Sequence, residues 1–410
     1  MNKKLLVLII TAGVDMVGTF LVVPQLPFYA KAFGASAFVV AAIAASFNVA
    51  TLLSAPYWGR FSDKYGRRPA LLIALTGSVI GYIIFAFSGN IWMLFLSRIV
   101  TGLGGGTVGV IQAYVADETP PKDRAKALGW LSAATNLGVA GGPAIGSLSA
   151  KLGAHGPGLL AAAICLVNMY FAWRYLRESR VVTPRTSRSD TSSSFRVIWR
   201  VIRHSDQPAS RLILIYAIGL GAFYGITPVL VLLLSDKYDI TKETIGYFFS
   251  YMGLVGFFTR AFLLGPAVDR LGEARLARIG TLLLVLGLAL LPLPPNILIF
   301  CLVSPLLNFG TAFTFPGVTS LLSRVIRVSE RGVYMGVQQS FGRVSTVIFQ
   351  LGCGLAYDRL GQAAPFWISA IFVAGTLFMG LDMESYMRTD APAPVEAAAP
   401  VAAATVTAKP

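Results

Sequence analysis

Gly59-Arg60-Phe61-Ser62-Asp63-Lys64-Tyr65-Gly66-Arg67-Arg68-Pro69 is the stretch on which the reading of the whole chain turns. It sets two glycines around an acid and a run of bases, between two long apolar segments. Gly59 and Gly66 permit close approach and turning, and Asp63 can pair with Arg67 while facing the positive end of a neighbouring helix. The same punctuation returns downstream. Gly59, Asp63 and Gly66 recur as Gly265, Asp269 and Gly272, each 206 residues on, and Arg124 and Gly129 recur as Arg331 and Gly336, each 207 on. Matching displacements at two separate loops indicate two halves built on one plan. The echo departs from the first loop by Pro266 after the glycine and Glu273 in place of a base, which leaves a second charge cluster of the same kind in question.

The segments around this loop are those of a membrane protein. Of 410 residues, 55% are hydrophobic and only 13% charged, with a mean hydropathy of +0.68; a soluble domain carries about 25% charged residues. Apolar stretches of the length that crosses a hydrocarbon core, about 20 residues, recur almost from end to end. A net charge of +15 would suggest a nucleic-acid partner in a soluble protein. Here the bases concentrate in alternate connections, the asymmetry that orients a polytopic chain in the bilayer, so no nucleic-acid partner is expected. Cys165, Cys301 and Cys353 lie in separate apolar stretches, and His155 and His204 are the only histidines. Without grouped ligands the thiols read as small buried hydrophobes, and no metal, disulfide framework or cofactor is expected. A membrane enzyme would need His, Cys or acids assembled at membrane depth, and the sequence offers no such constellation. The basic start at Met1 to Lys4 could imitate a secretory signal, but the apolar run continues past Asp15 to Tyr29 without a small-residue cleavage site and reads as an uncleaved first span.

Twelve spans follow: 5–29, 38–58, 70–88, 91–115, 127–150 and 157–176, then 212–235, 244–265, 276–293, 296–323, 333–356 and 364–381. Arg60, Lys64, Arg67 and Arg68, then Lys122, Arg124 and Lys126, and later Arg270, Arg275, Arg324, Arg327 and Arg331 fall in even-to-odd connections, whereas odd-to-even connections are nearly bare. Both termini are therefore expected on the cytoplasmic side. The chain divides into a six-helix bundle at 1–176, a basic cytoplasmic linker at 177–211, a second bundle at 212–385 and an Ala/Pro-rich tail at 386–410 expected to be disordered. Within the linker, Phe195 to Arg203 suits either a basic amphipathic helix against anionic headgroups or a solvated connection. The expected fold is all-α, with two pseudo-symmetric six-helix bundles.

Four further segments carry chemistry. Asp15 is the one acid well inside any span, in Val14-Asp15-Met16-Val17-Gly18 before Pro24-Gln25-Leu26-Pro27; desolvation disfavours a charged carboxylate there, which makes it a candidate proton carrier unless a neighbour such as Arg98 fixes it for structure alone. Arg98 stands within Leu96 to Gly104, where a lone arginine costs roughly 2.5 to 3.5 kcal/mol and faces a cavity or partner, or snorkels to water. Gly104 to Gly109 matches the spacing of a dinucleotide-binding loop, but it follows no strand and reads as a helix-packing run. Gly138-Val139-Ala140-Gly141-Gly142-Pro143-Ala144-Ile145-Gly146 places Gly138, Gly142 and Gly146 on one face, with Pro143 bending the helix. Candidate cavity residues are Asn48, Gln112, Asn136, Tyr224, Asn308, Gln339 and Arg343, of which Gln112 and Arg343 lie deep in their spans; polar residues such as these also serve simply to join helices.

These segments resemble the major facilitator superfamily, and within it the tetracycline-type drug:proton antiporters, over nearly the whole chain apart from linker and tail. The loop Gly59 to Pro69 is similar to the family's loop 2-3 signature at every defining position, Leu96 to Gly104 to its helix 4 signature, and Gly138 to Gly146 to the Gly-Pro motif of antiporters; the helix 1 opening and Ala113-Tyr114-Val115-Ala116-Asp117 fit the same group. The resemblance implies a cytoplasmic gate of Gly59, Asp63, Gly66, Arg67 and Asp117 that latches the outward-facing state, proton coupling through Asp15 and Arg98, and a helix 5 contact that seals against proton leak. It further implies an exporter of a hydrophobic drug-like compound in exchange for protons, with the lipid bilayer and a small molecule as partners and a monomer as the working unit. A carrier of a sugar or organic acid, and a transport-inactive sensor, are the alternatives.

Overall fold

The computed structural model describes residues 3–105, 107–120, 123–176, 191–327 and 330–380, and among them the secondary structure is helical, without strands. Each expected span is filled by one helix or by consecutive helices. The first is α1 (Lys3–Val22) and α2 (Leu26–Ala32), separated around Pro24, which cannot donate to the helix ladder. Then follow α3 (Ala37–Tyr65), α4 (Arg67–Ala86), α5 (Ile91–Leu103) with α6 (Thr107–Glu118), α7 (Arg124–Ala150) and α8 (Gly156–Tyr175). The linker carries α9 (Thr191–Arg203). The second half comprises α10 (Pro208–Gly225) with α11 (Thr227–Tyr238), then α12 (Ile245–Phe258), a π-helical turn (Thr259–Leu263) and α13 (Leu264–Leu271). It ends with α14 (Glu273–Leu290), α15 (Ile297–Val303) with α16 (Pro305–Val325), α17 (Arg331–Leu360) and α18 (Ala364–Met379). Lys122, residues 177–190 of the linker and the 386–410 tail lie outside the described residues.

Seven of these helices or consecutive pairs are long and apolar enough to cross a membrane by length and composition alone. The other five expected spans are helical, and three of them fall short for visible reasons. α14 opens with Glu273, Arg275 and Arg278, α17 carries Gln338, Gln339, Arg343 and Gln350, and the fourth span is interrupted at its glycine run. The continuous helix expected over 91–115 is thereby corrected: glycine stabilises a helix poorly, and successive glycines end α5 at Leu103. The carbonyls exposed by this break are satisfied from α3, since Thr51 Oγ1 and Ser54 Oγ donate to Gly102 O at 3.1 and 3.3 Å and Trp58 Nε1 donates to Leu103 O at 2.6 Å.

The internal repeat extends to backbone and caps. Gly66 ends α3 at φ 104° and Gly272 ends α13 at φ 74°, a left-handed turn that a side chain would strain. Asn90 caps α5 by accepting from Met93 N at 3.0 Å, and Asn296, 206 positions on, caps α15 by accepting from Ile299 N at the same distance. In the first half α1 packs on α7 and α8, and α4 on α5 and α8; in the second α14 packs on α16 and α18, and α10 on α17 and α16. The halves meet along two seams, α7 against α12 and α3 against α17. Helix α9 docks on the second half, with Val197 and Val201 buried and Arg200 Nη1 donating to the Tyr334 hydroxyl at 2.9 Å, while Trp199 and Ile202 stay exposed.

Candidate functional site

Both seams are closed at one end only. Along α7 and α12, Ser147 Oγ donates to Lys242 O at 2.9 Å and accepts from Gly246 N at 2.8 Å, while Gln25 Nε2 donates to Lys242 O at 2.9 Å. Gly246 rests on the Pro143 carbonyl and Gly253 on Ala140, contacts that leave no space for a Cβ. Along α3 and α17, Asp358 accepts from the backbone of Ala37 and Phe38 at 2.9 Å each, Gly354 abuts Ala37 and Ala41, and Asn48 Nδ2 donates to Gln350 Oε1 at 3.1 Å. Lys31 pairs with Asp236 across the same end. These contacts between the halves all lie away from the end that carries the Gly59 to Pro69 loop, and toward that end a Cβ on Gly129 of α7, or on Gly332 or Gly336 of α17, would meet nothing within 4 Å.

The space between the halves holds a cavity of about 720 Å³. Its first-half wall is largely apolar, with Met16 and Phe20 of α1 and Leu128, Leu131 and Val139 of α7, joined by Gln112 of α6; Tyr224 of α10 forms part of the facing wall. Gln112 and Tyr224 are the two residues expected at a cavity from the sequence that line this one. Volume and lining match a pocket for a drug-sized organic molecule.

Asp15 points away from this cavity. It is 5% exposed, and its Oδ2 accepts from Thr107 Oγ1 at 2.8 Å. Thr107 is the first residue of α6, so the glycine break brings a helix N-terminus, with its positive dipole end, to the buried carboxylate. That consequence of the glycines was not foreseen from the packing reading of the run. The next residue, Met16, lines the cavity, so α1 presents the carboxylate on one face and a cavity wall on another. Arg98 is 2% exposed and does not reach water; its guanidinium lies 5.7 Å from the centre of the Phe85 ring, and Nε and Nη2 are buried without a partner among the described residues. No ion pair joins Asp15 to Arg98, which removes the purely structural pairing. Tyr82 lies in the electrostatic range of both, and its hydroxyl is 3.3 Å from Thr19 Oγ1.

At the loop, Arg67 joins both expected acids: Nη1 is 3.0 Å from Asp63 Oδ1 and Nε is 3.0 Å from Asp117 Oδ2. The second half has its own version with polarity reversed. Glu273 Oε1, 206 positions after Arg67, lies 3.0 Å from Arg324 Nη2, 207 positions after Asp117. Ser320 Oγ donates to the same carboxylate oxygen at 2.8 Å. The departure at Glu273 therefore belongs to a compensated exchange of charges. In α7 the small residues serve two partners. Gly138, Gly142 and Gly146 press on the α1 backbone from Gly13 to Leu21, while Ala140, Pro143 and Ser147 meet α12 of the other half.

The sequence profile of the Major Facilitator Superfamily matches residues 8–348 and, in a second placement, 212–408. The chain belongs to the Major Facilitator Superfamily. It is a multi-pass membrane transporter, not an enzyme. Among the relatives of this facilitator is the tetracycline resistance protein, class B, of Escherichia coli, 25% identical over 387 residues, spanning 92% of this chain and 94% of the relative. Multidrug resistance protein 2 of Bacillus subtilis is 25% identical over 386 residues, spanning 92% of this chain and 93% of the relative. Solved structures with the same fold include the human organic anion transporter MFSD10, at TM-score 0.69 and 22% identity over 93% of this chain and all of that one. The D-xylose-proton symporter superposes at TM-score 0.71 and 16% identity, covering 92% of this chain and 96% of that one.

Several polar residues expected at the facilitator's cavity do other work. Asn48 spends its amide on Gln350 across the seam, and Asn308, 6% exposed, donates to Met252 O at 2.7 Å to join α16 to α12. Neither is among the cavity's lining residues, and polar side chains inside a bilayer commonly join neighbouring helices. Asn136 is exposed but is not a lining residue. Gln339 donates to the Tyr216 hydroxyl at 3.1 Å, and Arg343 stands exposed on α17 in the electrostatic range of that tyrosine. The sequence reading missed Arg260, in the π-helical turn, whose Nη1 donates to Gly256 O at 3.3 Å beside Tyr224. The signal was an arginine inside an apolar span, the same that singled out Arg98.

Proposed function

We propose that this chain exports hydrophobic, drug-like molecules across the cell membrane in exchange for protons, by alternating access. The observation that carries the reading is α1 itself: Asp15 is buried on one face, and Ala12, Met16 and Phe20 line the cavity on another. Gain or loss of a proton at Asp15 changes how its carboxyl binds Thr107 at the head of α6, and α1 transmits that change to the cavity wall. Substrate and proton then oppose each other through one helix without sharing a site. The tetracycline and multidrug resistance relatives, matched over nearly their whole length, support export of such compounds.

The concentration of bases at the Gly59 to Pro69 end supports a cytoplasmic orientation for that end, with both termini on the same side. The conformation is then open to the cytoplasm and closed outside. The Asp63, Arg67 and Asp117 cluster is the N-terminal part of the gate that closes in the alternate state, Gly138 to Gly146 seals α7 against α1, and Arg98 supports proton movement near Asp15. The monomer holds every part of this cycle. The test is accumulation of tetracycline and of unrelated dyes in everted membrane vesicles under an imposed pH gradient. Uptake abolished by collapsing the gradient is expected; a panel in which no compound accumulates, or in which accumulation ignores the gradient, rejects the reading.

A further inference from the structure

Tyr224, the second-half residue of the cavity lining, has an arginine beside it: neither Arg260 nor Arg343 lines the cavity itself, but Arg260 is in the electrostatic range of Tyr224. Arg260 and Arg343 are both exposed although each lies inside an expected apolar span, an environment in which an arginine turns to water or to a counter-charge. Among the described residues no carboxylate pairs with either guanidinium. Among the described residues the acids of the second half, Asp236, Asp239, Glu243, Asp269, Glu273, Glu330 and Asp358, all lie at or beyond the ends of its helices or in their last turns. The arginines flank one strip of α10: Arg343 is in electrostatic range of Tyr216, and Arg260 of Tyr224. Gln339 donates to the Tyr216 hydroxyl at 3.1 Å, and Tyr224 lines the cavity. Tyr216 and Tyr224 are eight residues apart, about 12 Å along a helix, with Tyr216 nearer the open end. Arg260 also lies in a π-helical turn, a backbone irregularity frequent at functional sites.

We infer that the transported molecule is an amphiphilic organic anion, its acidic group passing Arg343 at the mouth and held at Arg260 and Tyr224, its apolar body against Met16, Phe20, Leu131 and Val139. The inference rests on the export reading and names its substrate class. Two guanidinium groups without a carboxylate partner, beside the tyrosines of α10, focus a positive potential toward the cavity that Tyr224 lines. They attract an anion, disfavour a cation, and leave a neutral analogue only the apolar wall. The acidic group completes a charge-assisted pairing that the protein leaves open.

The experiment uses the purified full chain in phosphatidylcholine nanodiscs, so that no anionic lipid competes, and calorimetric binding of three probes: naphthalene-2-carboxylate, its isosteric carboxamide, and naphthalen-2-ylmethylammonium. The carboxylate is expected to bind about tenfold tighter than the carboxamide, and the ammonium more weakly than either. R260Q should bring carboxylate and carboxamide to similar affinity, R343Q should weaken the preference, and R260K should retain part of it. Retained carboxamide binding in R260Q shows that the cavity is folded. A wild type that does not prefer the carboxylate, including one that does not bind it, overturns the inference, as does a preference that survives in the R260Q/R343Q double variant. Gradient-driven dye export is measured in parallel. Export without anion preference rejects the substrate class alone, and anion preference without coupled export rejects the export reading alone.

Discussion

Replacing Gly142 by alanine tests the α7 seal with an internal control one residue away. A Cβ on Gly142 would lie 2.9 Å from Val17 O, 3.1 Å from Phe20 Cβ and 3.2 Å from Leu21 N, so α1 must move by a few tenths of an ångström, whereas a Cβ on Gly141 would meet nothing within 4 Å. Overpacking of this kind costs roughly 1–3 kcal/mol. Alanine also gains about 1 kcal/mol of helix propensity over glycine. That gain is the same whether α1 and α7 are packed or parted, so it cancels from the equilibrium between the two, and the full overpacking cost acts on the packed arrangement. At tenfold for each 1.4 kcal/mol, the parted arrangement rises roughly 5- to 150-fold. The displaced stretch of α1 borders Asp15, so the expected consequence is proton passage without substrate. Proteoliposomes holding equal protein, with an imposed pH gradient and no substrate, should leak faster with Gly142→Ala than with the parent, and at the parent's rate with Gly141→Ala. If both variants stay as tight as the parent while only turnover falls, α7 is a packing helix and has no sealing role.

Asp15→Asn should fold and insert, because an amide oxygen can still accept from Thr107 Oγ1, yet lose gradient-driven uptake while downhill movement survives; full uphill transport by the variant refutes the proton-carrier role. The mirrored pairs predict that Glu273→Gln and Arg67→Gln each favour the conformation open at their own end, read as accessibility of an engineered cavity cysteine from the opposite side, and that the double exchange Glu273→Arg with Arg324→Glu restores the balance; accessibility unchanged in every variant would remove these pairs from the gate. Gly354→Leu should hold the closed seam open, since any Cβ there already meets Ala37 O and Phe38 Cα at 2.8 Å, and thereby stop turnover without loss of insertion; normal turnover counts against closure along α3 and α17.

The sequence by itself determined the helices, their approximate spans, the doubled plan and the loop cluster, because these follow from local quantities: apolar run length, glycine and proline punctuation, and charge at helix ends. Arg67 could be matched to Asp63 from their closeness within one short charged loop, and to Asp117 from family resemblance. What each helix presents, and to whom, belonged to the tertiary structure. Side chains turn by about 100° per residue, so a break at Gly104 or a π-helical turn at Thr259 to Leu263 resets which residues face the cavity, and no periodicity carries across it. Asp15 and Met16 are neighbours in the chain, yet one is buried against α6 and the other lines the substrate space. Asn48 and Gln112 read alike as polar residues in apolar spans; only the position of α17 beside α3 makes the first a seam contact and leaves the second facing the cavity. Glu273 looked like a broken signature until folding brought Arg324, 51 residues away, to its carboxylate. A charge in a low-dielectric interior is defined by its partner, and that partner is chosen by helix packing at distances the linear pattern does not encode.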